Sequence, residues 1–211
     1  MPCADYEHVV QIGLGKTGTT TVRAFFESLG YNATCPTVRQ IAEALAAGEP
    51  PMARTKRACA AGSGGGGGGG GGFFVQELSG VYFPTDNFQF QLTHMAPIRR
   101  EMGPNTLFVH CERNATQWLR SATAWGDLRR RLTVRDVEGL PPGRGAADRE
   151  LADWYAGVNA YLRFAFQWRP NYARVDVDDP LSLRALAARC GAANYSFPKL
   201  NVNPRSRRVV V

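Results

Sequence analysis

The first hydrophobic stretch, His8-Val9-Val10-Gln11-Ile12, is a short apolar run that stops at Gly13 and predicts a buried strand. Past a glycine-rich loop, Val22, Phe25, Phe26 and Leu29 recur at helical spacing, predicting a helix over residues 20–29 closed by Gly30. A second helix is expected over 38–47, stopped by Gly48 and the Pro50-Pro51 pair. Residues 73–78 read as a strand, and 88–102 as mostly helical despite Pro97. Thr106-Leu107-Phe108-Val109-His110-Cys111 is the clearest later strand. It is followed by a helix over 115–125 that carries Trp118, Leu119, Ala122 and Trp125 on one side. Residues 132–149 are rich in Gly, Pro and charge and read as a surface excursion. A long aromatic helix over 151–168, a strand over 173–177 and a helix over 181–190 complete the pattern. Strand–helix alternation with crossovers of this length predicts an α/β fold, three-layered, with a mostly parallel sheet flanked by helices.

Low complexity interrupts this pattern once, at Gly62, Ser63 and the nine glycines from Gly64 to Gly72. Such a tract has no side chains to bury and maximal backbone entropy, so it reads as a flexible insertion at 62–72 within one domain spanning 1–211. The 61 residues before the serine-glycine run make a poor independent domain, which argues against a boundary there.

Charge narrows the partners. The formal net charge is +7, but its arginines are spread along the chain, apart from the runs at 129–131 and 205–208. No strand alternates aromatic and basic residues, so a nucleic-acid platform is not expected, and a small-molecule or glycan acceptor of anionic character fits the surplus. No run of about 18 apolar residues is present, so no membrane span is expected. The start lacks the segments of a signal peptide, which makes the cytoplasm the expected compartment if the chain is complete. The sequons at Asn32, Asn114 and Asn194 recur at a frequency that chance also produces. Cys3, Cys35, Cys59, Cys111 and Cys190 form no CxxC pair, so neither a zinc site nor a disulfide framework is expected; they read as small buried hydrophobes, with Cys111 in a core strand.

The chemistry concentrates in Gly13-Leu14-Gly15-Lys16-Thr17-Gly18-Thr19-Thr20, which joins the first strand to the first helix. Backbone amides at a helix start are unpaired and the helix dipole adds positive charge, so this is an anion site. Lys16 adds a full charge, and Thr17, Thr19 and Thr20 add donors. Gly13, Gly15 and Gly18 satisfy the GxGxxG spacing of dinucleotide sites, but the stretch Asn32 to Val38 lacks the acid that would bind a ribose. Gly15-Lys16-Thr17 matches the end of a Walker A loop, yet Val10 stands where its first glycine belongs.

The loop Lys16-Thr17-Gly18-Thr19-Thr20 resembles the 5′-phosphosulfate loop of sulfotransferases, relatives of the P-loop kinases that use 3′-phosphoadenosine 5′-phosphosulfate (PAPS). Residues 107–121 resemble that family's 3′-phosphate motif, where a strand ends in an arginine and a serine follows eight positions later, as Arg113 and Ser121 do. A guanidinium at the strand end clamps a phosphate, and a hydroxyl two turns along the helix faces the same side. Phe197-Pro198-Lys199-Leu200-Asn201 adds a looser likeness to the close of some algal-type members.

The resemblance implies PAPS as donor, held by Gly15, Lys16, Thr17, Gly18, Thr19, Thr20, Arg113 and Ser121, and a hydroxyl or amine acceptor. It implies Lys16 as the catalytic cation and no metal. For the base, Thr93-His94-Met95 resembles the Thr-His-Leu of cytosolic members, which puts His94 slightly ahead of Asp86, with Glu77 as a further carboxylate. The competing readings are a P-loop kinase or NTPase, recruiting Glu112 for magnesium, and a non-catalytic nucleotide-binding protein. The resemblance also implies the Golgi lumen as the alternative compartment if the N-terminus is truncated.

Overall fold

The computed structural model describes residues 3–35, 37–62, 72–82, 86–134 and 136–198. After a 3-10 turn at Cys3–Asp5, the chain runs through β1 (His8–Gln11), α1 (Thr19–Ser28), α2 (Val38–Ala46) and α3 (Ala53–Gly62). Next come β2 (Phe74–Val75), β3 (Ser79–Tyr82), β4 (Asp86–Gln89), α4 (Phe90–Thr93) and α5 (Met95–Met102). The second half holds β5 (Thr106–Glu112), α6 (Ala115–Thr123), α7 (Leu128–Val134), α8 (Asp148–Phe166), β6 (Tyr172–Asp176) and α9 (Pro180–Arg189).

Strands β2, β1, β5 and β6 form a parallel sheet in that order, with Val9 opposite Leu107 and Glu112 opposite Asp176. Strand β5 is buried along its whole length, which is why it reads as a continuous apolar run. Its alternate residues feed two layers. Leu107, Val109 and Cys111 pack with Val22, Phe25 and Phe26 of α1 and Leu186 of α9. On the other face Phe108 meets a core built from Trp118 of α6 and Tyr155, Leu162 and Phe166 of α8. The expected α/β architecture is therefore present, and the active edge of such a sheet is the carboxyl end of its strands.

Several elements differ from the sequence reading. Helix α3 has no apolar period to announce it; it forms largely from Ala, Arg and Lys, and Cys59 within it and Met52 just before it are buried in the core. Residues 79–82 and 86–89 form an antiparallel hairpin rather than the start of a helix, and Phe88 stacks on Phe90 at 5.0 Å where the hairpin passes into α4. The region 132–149 is not purely a surface excursion: Leu132, Val137 and Leu140 are buried in the main core. Its apolar residues are too widely spaced among glycines and prolines to show a period. Of the glycine insertion, residues 63–71 lie outside the described residues; Gly62 ends α3, and a Cβ on Gly72 would overlap the carbonyl oxygen of Glu7.

The expectation of no disulfide framework is corrected. Cys3 pairs with Cys190 across 187 residues, and Cys35 with Cys59 across 24. Neither pair has a spacing signature, because the N-terminal turn meets the end of α9 only in the folded chain. Cys111 is the unpaired cysteine, buried in β5 as expected, and burial pushes its thiol pKa up. No helix among the described residues is long and apolar enough to cross a membrane.

Candidate active site

The loop at 13–20 follows β1 and lies against the end of β5. Gly13 permits this: a Cβ there would overlap the carbonyl oxygen of Cys111. Gly18 is the N-cap of α1 with φ 78°, and no side chain caps the helix, so its first amides keep their capacity for an anion. Lys16 also holds a left-handed backbone, φ 70°, alone among the described non-glycine residues. Such a conformation costs about 1–2 kcal/mol and persists where the surroundings impose it.

Two aromatic side chains brace the loop beside it. Trp118 of α6 donates its indole N–H to the Gly15 carbonyl over 3.0 Å, and its ring stacks on Tyr155 of α8 at 4.4 Å. The Tyr155 hydroxyl then accepts from the Arg113 amide at 2.9 Å and donates to the Arg113 carbonyl at 3.1 Å. Loop and arginine are thus braced by the same buried pair.

Lys16, Arg113, Ser121 and Glu77 all line one cavity of about 430 Å³. The Lys16 ammonium lies over the Trp125 ring at 4.8 Å, with the Arg131 guanidinium at 5.3 Å from the same ring. Desolvation lowers the Lys16 pKa, and nearby Arg113 adds to this while Glu77 opposes it. Glu77, just after β2, accepts a hydrogen bond from Thr19 Oγ1 at 3.2 Å, and its backbone carbonyl accepts from Thr37 Oγ1 at 2.9 Å. Burial raises the Glu77 pKa, with the Thr19 bond and Lys16 pulling the other way.

The remaining expected residues are distributed unevenly. Gly15, Gly18, Thr19 and Thr20 line the cavity. Thr17 does not: it is fully buried and its hydroxyl donates to the Leu14 carbonyl at 2.6 Å, closing the loop from inside. Asn114 caps α6 by accepting from the Thr116 amide at 2.9 Å, which fixes the helix that carries Ser121. His94 stands at the joint between α4 and α5, shares a 2.8 Å hydrogen bond with Thr93 Oγ1, and is not among the cavity residues. Asp86 opens β4, and its side chain lies outside the described part of the structure. Glu112 is buried and ion-paired with Arg163, at 2.7 Å, and with Arg174, and it is not among the cavity residues. His110 is held by Asn159 and Tyr172 in the core.

Sequence reasoning missed Asp178. It grips Arg113 at both ends, Nε to Oδ2 at 3.1 Å and Nη2 to Oδ1 at 2.6 Å. The signal was the acidic run Asp176-Val177-Asp178-Asp179 after the last strand, but only the β5–β6 pairing puts it beside Arg113. Trp125, Leu128, Leu132 and Trp154 complete a largely apolar wall.

Compared with known proteins, residues 8–135 match a family model described as a sulfotransferase domain. No curated protein and no solved structure matches the chain.

Proposed function

Because the chain belongs to the sulfotransferase-domain family, we propose that it transfers a sulfuryl group from PAPS to a hydroxyl or amine of a small molecule or glycan. One observation carries the reading: Lys16, Arg113, Ser121 and Glu77 surround a single cavity at the carboxyl end of the sheet. The donor set suits a nucleotide with two separate anionic groups. The uncapped start of α1 and Lys16 fit the 5′-phosphosulfate, and Arg113 with Ser121 fits the 3′-phosphate.

When bound, PAPS supplies a sulfuryl group attached to a phosphate that departs as an anion. The chain's part is positioning and charge stabilisation. The Lys16 ammonium, partly desolvated, balances the negative charge that grows on the departing oxygen. Glu77 takes the acceptor's proton. Its raised pKa makes it a stronger base than a solvated carboxylate, and Thr19 holds one of its oxygens in place. Glu77 fills this role ahead of His94 because it lines the cavity and His94 does not. The apolar wall from Trp125 to Trp154 would receive the acceptor.

Calorimetry with 3′-phosphoadenosine 5′-phosphate (PAP), ATP and NAD tests the donor, and a sulfate-transfer assay tests the reaction. PAP is expected to bind most tightly. No PAP binding, or binding unchanged in the Lys16→Ala/Arg113→Ala double variant, overturns the reading. ATP binding that depends on magnesium points to a kinase instead. PAP binding with no transfer to any acceptor leaves a nucleotide-binding protein.

A further inference from the structure

Resting on the PAPS reading, we propose that Asp178 is a positioning residue that presents Arg113 to the nucleotide's 3′-phosphate and thereby sets the preference for nucleotides that carry one. The fork between Asp178 and Arg113 engages Nε and one hydrogen of Nη2. A guanidinium has five N–H donors in a rigid plane, so one N–H on Nη1 and one on Nη2 remain after this fork and the bond from Nη1 to the Lys16 carbonyl. Nη1 donates to the Lys16 carbonyl at 3.4 Å, which ties the guanidinium to the loop, and Arg113 lines the cavity. An untethered arginine loses rotamer freedom when it orders on a ligand, and the tether removes much of that loss beforehand.

Asp178 is itself held. Its amide donates to Asp176 Oδ1 at 3.0 Å, and the Val177 amide extends the sheet by donating to the Glu112 carbonyl at 3.0 Å. Asp179 caps α9 through a 2.9 Å bond from the Leu181 amide. The same turn touches the loop, since a Cβ on Gly18 would lie 3.0 Å from the Val177 side chain. One short turn after β6 therefore sets both halves of the site. The carboxylate also brings a negative charge near a phosphate, so the opposite effect, competition for Arg113, is the alternative that experiment must exclude.

Titration calorimetry on the full chain with PAP and with 5′-AMP, which lacks the 3′-phosphate, separates the two. Asp178→Ala is expected to weaken PAP about tenfold, equivalent to 1.4 kcal/mol, while leaving 5′-AMP unchanged. The near-isosteric Asp178→Asn should fall between, and supplies the readout if the alanine variant does not fold. In an Arg113→Ala background, Asp178→Ala should cause no further loss, because it acts through the arginine. Selectivity for PAP that is kept or increased in Asp178→Ala and Asp178→Asn overturns the proposal alone. A wild-type chain that binds PAP no better than 5′-AMP overturns the donor reading and this proposal with it.

Discussion

Thr19, the first residue of α1, donates its hydroxyl to Glu77 Oε1 over 3.2 Å, tying the helix that follows the glycine loop to a carboxylate of the same cavity. This bond stabilises the ionised form of Glu77 against the burial that raises its pKa. The pH dependence of the reaction follows from that balance.

Transfer should rise with pH through the raised Glu77 pKa, placing the acidic limb above the ordinary carboxylate range. Thr19→Val removes a stabiliser of the anion and should move the limb further up. Glu77→Gln should abolish the limb and cost roughly 10²–10⁴ in rate. Rate profiles of kcat/KM against pH for the three proteins check this; an unmoved limb in both variants rejects Glu77 as the base.

Stability carries the opposite sign. A carboxyl whose folded pKa lies above its unfolded pKa weakens the fold as pH rises from the unfolded value through the folded one. Glu77→Gln should therefore melt at a higher temperature than wild type near neutral pH, and the gap should close in acid. Thermal melts across pH measure it.

Lys16 is the proposed cation and also a strained backbone position. Lys16→Ala should reduce transfer by about 10²–10³, the typical effect of deleting one charge-stabilising group. Because Lys16 has φ 70°, Lys16→Gly should be more stable than Lys16→Ala by about 1 kcal/mol while being equally inactive. Since desolvation lowers the Lys16 pKa, activity should also fall on the alkaline side before a solvated lysine would lose its proton. Denaturant melts and alkaline rate profiles report the two effects.

Gly13→Ala should destabilise the protein by about 1–3 kcal/mol and disturb nucleotide binding, because its Cβ has no space beside the Cys111 carbonyl. Gly30→Ala is the control: a Cβ there meets nothing within 4 Å, although φ 89° remains strained, and it lies outside the cavity. Comparing PAP affinity in the two variants separates loop geometry from backbone strain.

The disulfides predict a thiol count. Protein recovered from an oxidising compartment should release one titratable thiol on unfolding, from Cys111, and five after reduction. Replacing Cys3 and Cys190 together by alanine should cost about 2–5 kcal/mol, read from a denaturant melt. Five thiols without reduction would show that neither bridge forms.

The strand, loop and helix around residues 8–29 were legible because each signal is local. An apolar run, a glycine cluster and a helical period each depend on neighbours a few residues apart, and the same holds for β5 and α6 with Arg113 and Ser121. The hairpin at 79–89 was not legible, since its short strands share their aromatic residues with the helix that follows. The region 132–149 hid its buried leucines among glycines and prolines for a similar reason.

By itself the sequence determined the α/β pattern, the glycine loop with Lys16 between strand and helix, and the Arg113–Ser121 spacing, because periodicity and short motifs are properties of contiguous chain. Tertiary structure decided which acidic residue faces Lys16 and which one holds Arg113. Glu77 lies 58 residues from its partner Thr19, and Asp178 lies 65 from Arg113. Such pairs come from parallel strand order, which places distant strand ends side by side, and no local pattern encodes that placement.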